Sequence, residues 1–385
     1  MRFFPTVKKC RRLNDRKGPV DSPLGNSMIK DFRIKNFRHF EDVQLHNLKR
    51  VNLFVGKNSA GKSALLEALL LFFTQMSDRY LPEIHAGRQE NWEPRNDGVE
   101  KSTLRHLFRN HKLPAPGSPG FSLESTQDSR SFEATIKAYH AEAEGNITSF
   151  RLLEDDLLDV DPDFVEPFLV LQKNFQIQRL IRLSRYGDGR RFRMSRQEPV
   201  DTVYFVPTRG VTDEEVASLW DTISLTDAES EVINGLKLIE PAVEGVAFVG
   251  NRAPDRIALI KLSTHPEPVS LKSLGDGMSR ILQIILSLVN AKDSVLLIDE
   301  FENGLHWGVQ KDVWRLVFNL AERLNVQVFA TTHSRDCIEG FESAWERTPH
   351  SGGFARVFKT SDVVSIKEYN LTLLKDSIET DVEVR

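Results

Sequence analysis

An α/β fold built around a phosphate-type turn is what the sequence predicts, on three observations. The stretch "VNLFVGKNSAGKSALLEALLLFF", residues 51 to 73, passes from an apolar strand through a glycine-punctuated turn into an apolar helix. Far downstream, "SVLLIDEFENGLHW" carries four apolar residues, Val295 to Ile298, straight into Asp299 and Glu300. A third run, "VQVFATTHSRD", ends at Thr331, Thr332, His333 and Ser334. Short apolar runs of this kind suit buried parallel strands, and sheets built from them bind ligands beyond their carboxyl ends.

The first turn is the most specific. Gly56-Lys57-Asn58-Ser59-Ala60-Gly61-Lys62-Ser63, running on to Ala64, satisfies GxxxxGK[ST] in the required strand–turn–helix context. Its glycines let backbone N–H groups surround an anion, and the following helix presents its positive end. Lys62 then reaches the terminal phosphates, and the Ser63 hydroxyl is placed to ligate magnesium. Asp299 suits a magnesium role, and Glu300 suits a base that polarises the attacking water. Alone, such a pair could equally end a strand in solvent. Beside a phosphate turn the chemical reading is the stronger one.

Upstream of the acid pair, "SLKSLGDGMSRILQIILSLVNA" sets a glycine turn before a helix whose apolar face is Ile281, Leu282, Ile284, Ile285 and Leu288. Downstream, Trp307 and Trp314 fall seven residues apart on a predicted helix, and core packing is expected of both. In isolation His333 reads as a satisfied strand-end histidine, and His306 more so.

Taken together and in order, these motifs resemble the ABC-type ATPases, specifically the branch containing SMC, RecF and OLD (overcoming lysogenization defect) proteins. The resemblance spans residues 29 to about 340. It implies an ABC-type P-loop NTPase with a mixed-sheet core, a β-rich and helical insertion lobe and a short C-terminal extension, binding ATP and Mg2+. In that family a signature turn of one protomer caps the nucleotide of the other. Ser273, Gly275 and Gly277 resemble that turn, although the usual LSGGQ is SLGDG here. Asn303-Gly304-Leu305-His306 sits where the D-loop crosses the dimer interface, and His333 matches the switch histidine that contacts the γ-phosphate. "VYFVPTR", residues 203 to 209, resembles the strand ending in the Q-loop, with Thr208 where glutamine is usual as a magnesium contact. "IKNFRHFEDVQL" resembles the first hairpin of the branch, where the region of Phe37 and Arg38 lies against adenine.

OLD proteins continue from such an ATPase into a TOPRIM nuclease. Here the residues after His333 contain no Asp-x-Asp pair, so the expectation is a stand-alone OLD-type ATPase whose effector is a separate polypeptide.

The remaining organisation follows from the motif map. Residues 1–27 form a basic tail with the composition of a disordered segment, ending before a second candidate start at Met28. Core segments are expected at 28–75 and 201–345, an insertion lobe at 76–200 and an extension at 346–385. Within the insertion, "SFEATIKAYHA" and "ITSFRLLED" alternate like strands, and "EDDLLDVDPDFVEP" reads as a solvated acidic connection. "KNFQIQRLIRLSRYGDGRRFRMSR" is strongly basic, and "YGDGR" is expected to turn a hairpin. Arg179, Arg182, Arg185, Arg190, Arg191 and Arg193 on that ribbon could contact nucleic-acid phosphates, or form a solvated charged face, or one neutralised by the acidic run just upstream.

Composition bounds the function. The 385 residues are 40% hydrophobic with a formal charge of -4, so any nucleic-acid partner must meet a local patch. The two cysteines, Cys10 and Cys337, match no metal or disulfide spacing and fit a reducing cytoplasm. No apolar stretch is long enough for a membrane span, and no heptad pair is long enough for an SMC-like arm. The expected function is an ATP-hydrolysing switch. It forms a head-to-tail ATP-sandwich dimer or a higher oligomer and controls a separately encoded effector, a nuclease, in antiphage defence. The alternative is a RecF-like repair ATPase binding DNA directly; a scaffold using ATP only as glue is disfavoured by intact Lys62 and Glu300.

Overall fold

The computed structural model describes residues 28–77, 80–90, 102–144, 147–153, 164–186, 203–250, 256–360 and 363–380. The basic tail, most of the acidic run, and Arg190, Arg191 and Arg193 lie outside the described residues.

A hairpin of β1 (Phe32–Lys35) and β2 (Asp42–Leu45) leads into β3 (Val51–Val55), the phosphate turn and α1 (Lys62–Phe73). Next come α2 (Tyr80–Gly87), β4 (Phe121–Ser125), β5 (Arg130–Glu144), β6 (Ile147–Leu152), β7 (Val165–Lys173) and β8 (Gln176–Arg182). The chain continues through β9 (Val203–Val206), α3 (Asp213–Ile223), α4 (Asp227–Leu236) and the small sheet of β10 (Val243–Val249), β11 (Ile257–Leu262) and β12 (Val269–Ser270). It closes with α5 (Asp276–Asn290), β13 (Val295–Ile298), α6 (Trp307–Arg323), β14 (Gln327–Thr332), α7 (Arg335–Arg347), β15 (Gly352–Thr360), β16 (Val363–Tyr369) and α8 (Leu371–Glu379).

The central sheet has six strands in the order β16-β15-β3-β14-β13-β9, all parallel except β16. Strands β3, β13 and β14 are buried along their whole length, as strands covered on both faces must be. Alternation sorts their side chains. Val51, Leu53, Leu296, Ile298, Val328 and Ala330 pack with α5, α6 and α7 on one face. Phe54, Val295, Leu297 and Phe329 pack with α1 on the other. The phosphate-turn helix and the helix that follows SLGDG therefore lie on opposite faces of one sheet.

Helix α1 is buried almost all round because a second sheet covers its far side. That sheet has seven strands, with β6 pairing on β5 beside the path β2-β1-β4-β5-β7-β8. Here the structure departs from the expected boundary at residue 75. Strand β1 of the first hairpin pairs with β4, through Arg33↔Glu124, Ile34↔Leu123 and Lys35↔Ser122, so hairpin and insertion are one sheet. Phe32, Phe72 and Phe132 meet edge to face across that joint, tying α1 to both. Truncating a leucine fully enclosed there, such as Leu69, would cost about 2–5 kcal/mol.

The segment expected as a C-terminal extension is also core. Strand β15 pairs with β3 in parallel, and a Cβ placed at Gly56 would meet the Val357 carbonyl oxygen at 2.2 Å. Glycine is needed at the first position of the turn because β15 backs it directly.

Within the basic stretch, β7 and β8 form a hairpin that turns at Asn174 and Phe175, both with positive φ, while all of YGDGR except Tyr186 lies outside the described residues.

Candidate active site

Three parallel strands deliver the site to one edge of the central sheet: β3 brings the phosphate turn, β13 brings Asp299 and Glu300, and β14 brings Thr331 to His333. Sheet register fixes these groups relative to one another, as Leu297↔Phe329 and Ala330↔Leu53 show.

In the turn, Lys57, Asn58 and Ser59 are exposed, while Ala60 and Ala64 are buried beneath them. Ser59 holds φ 65 and Gly61 φ 110, both in the left-handed region, which glycine occupies without a Cβ penalty. Such alternation turns successive amides inward. The Lys62 ammonium donates to the carbonyls of Gly56 at 2.7 Å and Lys57 at 3.1 Å. Burial pushes its pKa down, against the pull of Glu300, Asp299 and Glu302.

Asp299 is the hub. Its carboxylate accepts from the hydroxyls of Ser63 at 2.9 and 3.2 Å, Thr208 at 3.0 Å and Thr331 at 2.6 Å. Thr208 thus stands on the hub although glutamine was the expected residue. The donor set of one carboxylate and two flanking hydroxyls, Ser63 and Thr208, is hard and oxygen-only, which suits magnesium.

Glu300 has φ 49, an uncommon conformation for a side-chain-bearing residue. Its amide donates to Thr331 Oγ1 at 2.9 Å, and Arg280 from α5 donates to the carbonyls of Asp299, Glu300 and Pro207 at 2.7, 2.9 and 2.9 Å. Burial pulls the Arg280 guanidinium down to about 10. The sequence gives Arg280 no role and Thr331 only its place at a strand end, because their partners, backbone carbonyls for Arg280 and the Glu300 amide and Asp299 carboxylate for Thr331, are ones that no spacing rule reveals. His333 is half exposed, with Nδ1 3.1 Å from Glu302 and 3.7 Å from Glu300. Glu302 also accepts the amides of His333 and Ser334, fixing where the histidine stands.

Other expected residues fall elsewhere. Ser273 and Gly275 are exposed at the start of α5; Gly277 packs so closely that a Cβ there would meet Gly304 O at 2.9 Å. The side chains of Phe37 and Arg38 are buried, 0% and 1% exposed, which leaves the expected adenine contact to the backbone of this region. Phe37 packs edge to face on Phe121, and Arg38 is held by Glu67 and Glu90 at 2.6 Å each. Those two ion pairs fasten the first hairpin to α1 and to Glu90. Trp307 corrects the core expectation, being exposed, whereas Trp314 is enclosed and stacked on Phe301. Of the arginine ribbon, Arg182 is paired with Glu166 and lies over the Phe150 ring, Arg179 stands on β8, and Arg185 falls in a helical turn.

A phosphate turn, a strand-end carboxylate hub and a strand-end histidine on one parallel sheet define an ABC-type P-loop ATPase of the SMC and RecF branch. The chain belongs to the family described as "AAA domain, putative AbiEii toxin, Type IV TA system", whose model matches residues 51–336. It is similar to an ATP/GTP phosphatase of Helicobacter pylori, 20% identical over 341 residues, covering 81% of this chain and 87% of that one. It is also similar to the DNA double-strand break repair Rad50 ATPase of Archaeoglobus fulgidus, 44% identical over 129 residues, 34% of this chain and 11% of that one. Among solved structures, the SMC head bound to the C-winged-helix domain of ScpA shares the fold, with TM-score 0.50, 13% identity, and 90% of this chain and 98% of that one covered.

Proposed function

We propose that this ATPase is a nucleotide-gated switch in which two copies close head to tail around ATP and magnesium and so control a separately encoded effector. The single observation that carries the reading is the placement of the two half-sites. The phosphate turn and the SLGDG turn begin helices on opposite faces of the same sheet, and Ser273 and Gly275 stand exposed. Completing one site then takes the SLGDG turn of another copy.

Within each site the chain's own residues divide the work. Amides from Gly56 to Ser63 and the Lys62 ammonium bind the phosphates. Ser63, Asp299 and, through its hydroxyl, Thr208 would hold the magnesium ion, which when bound neutralises phosphate charge. Glu300 accepts a proton from the attacking water, and His333, set in place by Glu302, donates toward the γ-phosphate. Arg280 keeps the Asp299 and Glu300 carbonyls fixed from the SLGDG helix, so closure over SLGDG and the geometry of the acid pair are mechanically joined. The γ-phosphate touches both copies, which lets ATP favour the closed state.

The effector reading draws support from the AbiEii description of the family and gives the switch a role in antiphage defence in the cytoplasm. Among the described residues no helix is long and apolar enough to cross a membrane. The test is to purify the chain with the polypeptides encoded beside it, with and without ATP and magnesium, and to compare Glu300→Gln. The expected result is a trapped dimer of Glu300→Gln and a co-migrating second polypeptide; a monomer under every condition overturns the switch. A second reading, direct DNA binding in repair, rests on the likeness to Rad50 and RecF. A clean ATP-driven dimer with no companion, binding DNA in a salt-sensitive way, would favour it.

A further inference from the structure

Trp307 is the most exposed tryptophan among the described residues, at 67%, while Trp220, Trp314 and Trp345 are 4%, 0% and 5% exposed. It is the first residue of α6, directly after the loop 303–306. A first-turn position has no preceding helical turn to cover its side chain. His306 caps the helix, its Nδ1 accepting from the Gly308 amide at 3.2 Å, and its ring lies 5.2 Å from the indole at 38°. The cap therefore holds the two rings together at the surface.

The loop carrying this pair is tied to both halves of the site. Asn303 Nδ2 donates to the Thr208 carbonyl at 2.7 Å, and Gly304 lies under Gly277 of the SLGDG turn. An indole left in water beside these groups is the residue type most enriched at the centre of protein interfaces. The candidate occupant has to be a surface brought to this loop whenever SLGDG of one copy meets the phosphate turn of another. That surface is a second copy of this chain.

We infer that Trp307, braced by His306, is an aromatic anchor by which the loop 303–306 of one copy grips a second copy when ATP closes the pair. The inference rests on the ATP-sandwich reading and assigns it a residue. In a symmetric pair each Trp307 is used once by each copy, so one substitution removes two anchors.

The test uses the full chain as Glu300→Gln with ATP and magnesium, adding Trp307→Ala or Trp307→Phe, and measures the dimer dissociation constant by sedimentation. Acrylamide quenching in a Trp92→Phe background reads the exposed indole directly. The expected outcome is a dissociation constant raised about tenfold or more by alanine and less by phenylalanine, with ATP binding per protomer unchanged. Trp307 fluorescence should become protected only when ATP is present. A Glu300→Gln chain that never dimerises overturns the sandwich and this inference together. Dimerisation as tight with Trp307→Ala as without it, or an indole still fully quenched in the dimer, overturns the inference alone. Loss of a co-migrating polypeptide with an intact dimer also overturns it, and assigns the anchor to the effector.

Discussion

Two carboxylates serve the first turns of α1, and both are 8% exposed. Asp299 meets Ser63, and Glu67, four residues after Ser63, projects from the same stripe of the helix. Their partners could hardly differ more. Asp299 accepts only from hydroxyls, those of Ser63, Thr208 and Thr331, among the described residues. Glu67 is clasped by two guanidinium groups, Arg38 at 2.6 Å and Arg88 at 2.6 Å. The chain continues from there to Glu90, which holds Arg38 and His85 at 2.6 and 2.7 Å. Hydroxyls orient a carboxylate without cancelling its charge; guanidinium groups cancel it. Equal burial thus yields one carboxylate able to draw a cation and one that fastens α1 to the first hairpin and the insertion.

The comparison breaks if the two charges prove interchangeable. Asp299→Asn keeps the shape and loses the charge, so ATP turnover in magnesium should fall about a thousandfold while thermal unfolding barely moves. Glu67→Gln should do the reverse. It strands buried guanidinium charge and should cost about 3 kcal/mol of stability by denaturant unfolding, the lower end for a broken buried pair. Turnover per folded molecule should stay within about tenfold of the parent, since Glu67 touches no reacting group. An Asp299→Asn chain as unstable as Glu67→Gln would show that the hub is structural too.

Acid sharpens the same contrast. Burial pushes Glu90 up, but hydrogen bonds from His85 and Arg38 and their charge outweigh it and hold the carboxyl at about 2, against an ordinary 4.5. A depressed carboxyl stabilises the fold fully above its unfolded value and loses that contribution as pH falls from about 4.5 toward 2. Denaturant midpoints taken down through that window should drop, and Glu90→Gln should flatten the drop while lowering stability at neutral pH. An unchanged slope in Glu90→Gln would remove Glu90 from the network's account.

Much of this was legible in the sequence wherever partners are neighbours along the chain. The phosphate turn, the apolar strand running into Asp299, and the strand ending at His333 each carry their meaning within about ten residues. What escaped is non-local. Arg38 gives no sign in sequence of its buried ion pairs, because Glu67 and Glu90 stand far along the chain. Arg280 grips backbone carbonyls, and the Thr331 hydroxyl joins the Glu300 amide to the Asp299 carboxylate, pairings that no motif names. Trp307 shares the helical stripe of Trp314, but periodicity does not say where a helix begins, and the first turn is left uncovered. The pairing of β1 with β4 joins segments that a motif map separates, so the insertion was drawn as a lobe of its own.

The smallest expected effect concerns the arginine ribbon, where sequence counted charges and the structure pairs Arg182. Arg182 is bound to Glu166 and laid over Phe150, and Ser184 Oγ donates to the same carboxylate at 3.1 Å. A guanidinium so placed gives up a local partner before it meets a phosphate, so its net gain from nucleic acid is small. Because the pair is partly exposed, it stabilises the fold by only about 0–1 kcal/mol. Arg182→Ala should accordingly change DNA affinity less than about twofold and leave the salt slope untouched. A slope reduced by about one ion on that substitution would instead make Arg182 a phosphate contact, and would turn the ribbon from a solvated face of the insertion sheet into a nucleic-acid surface.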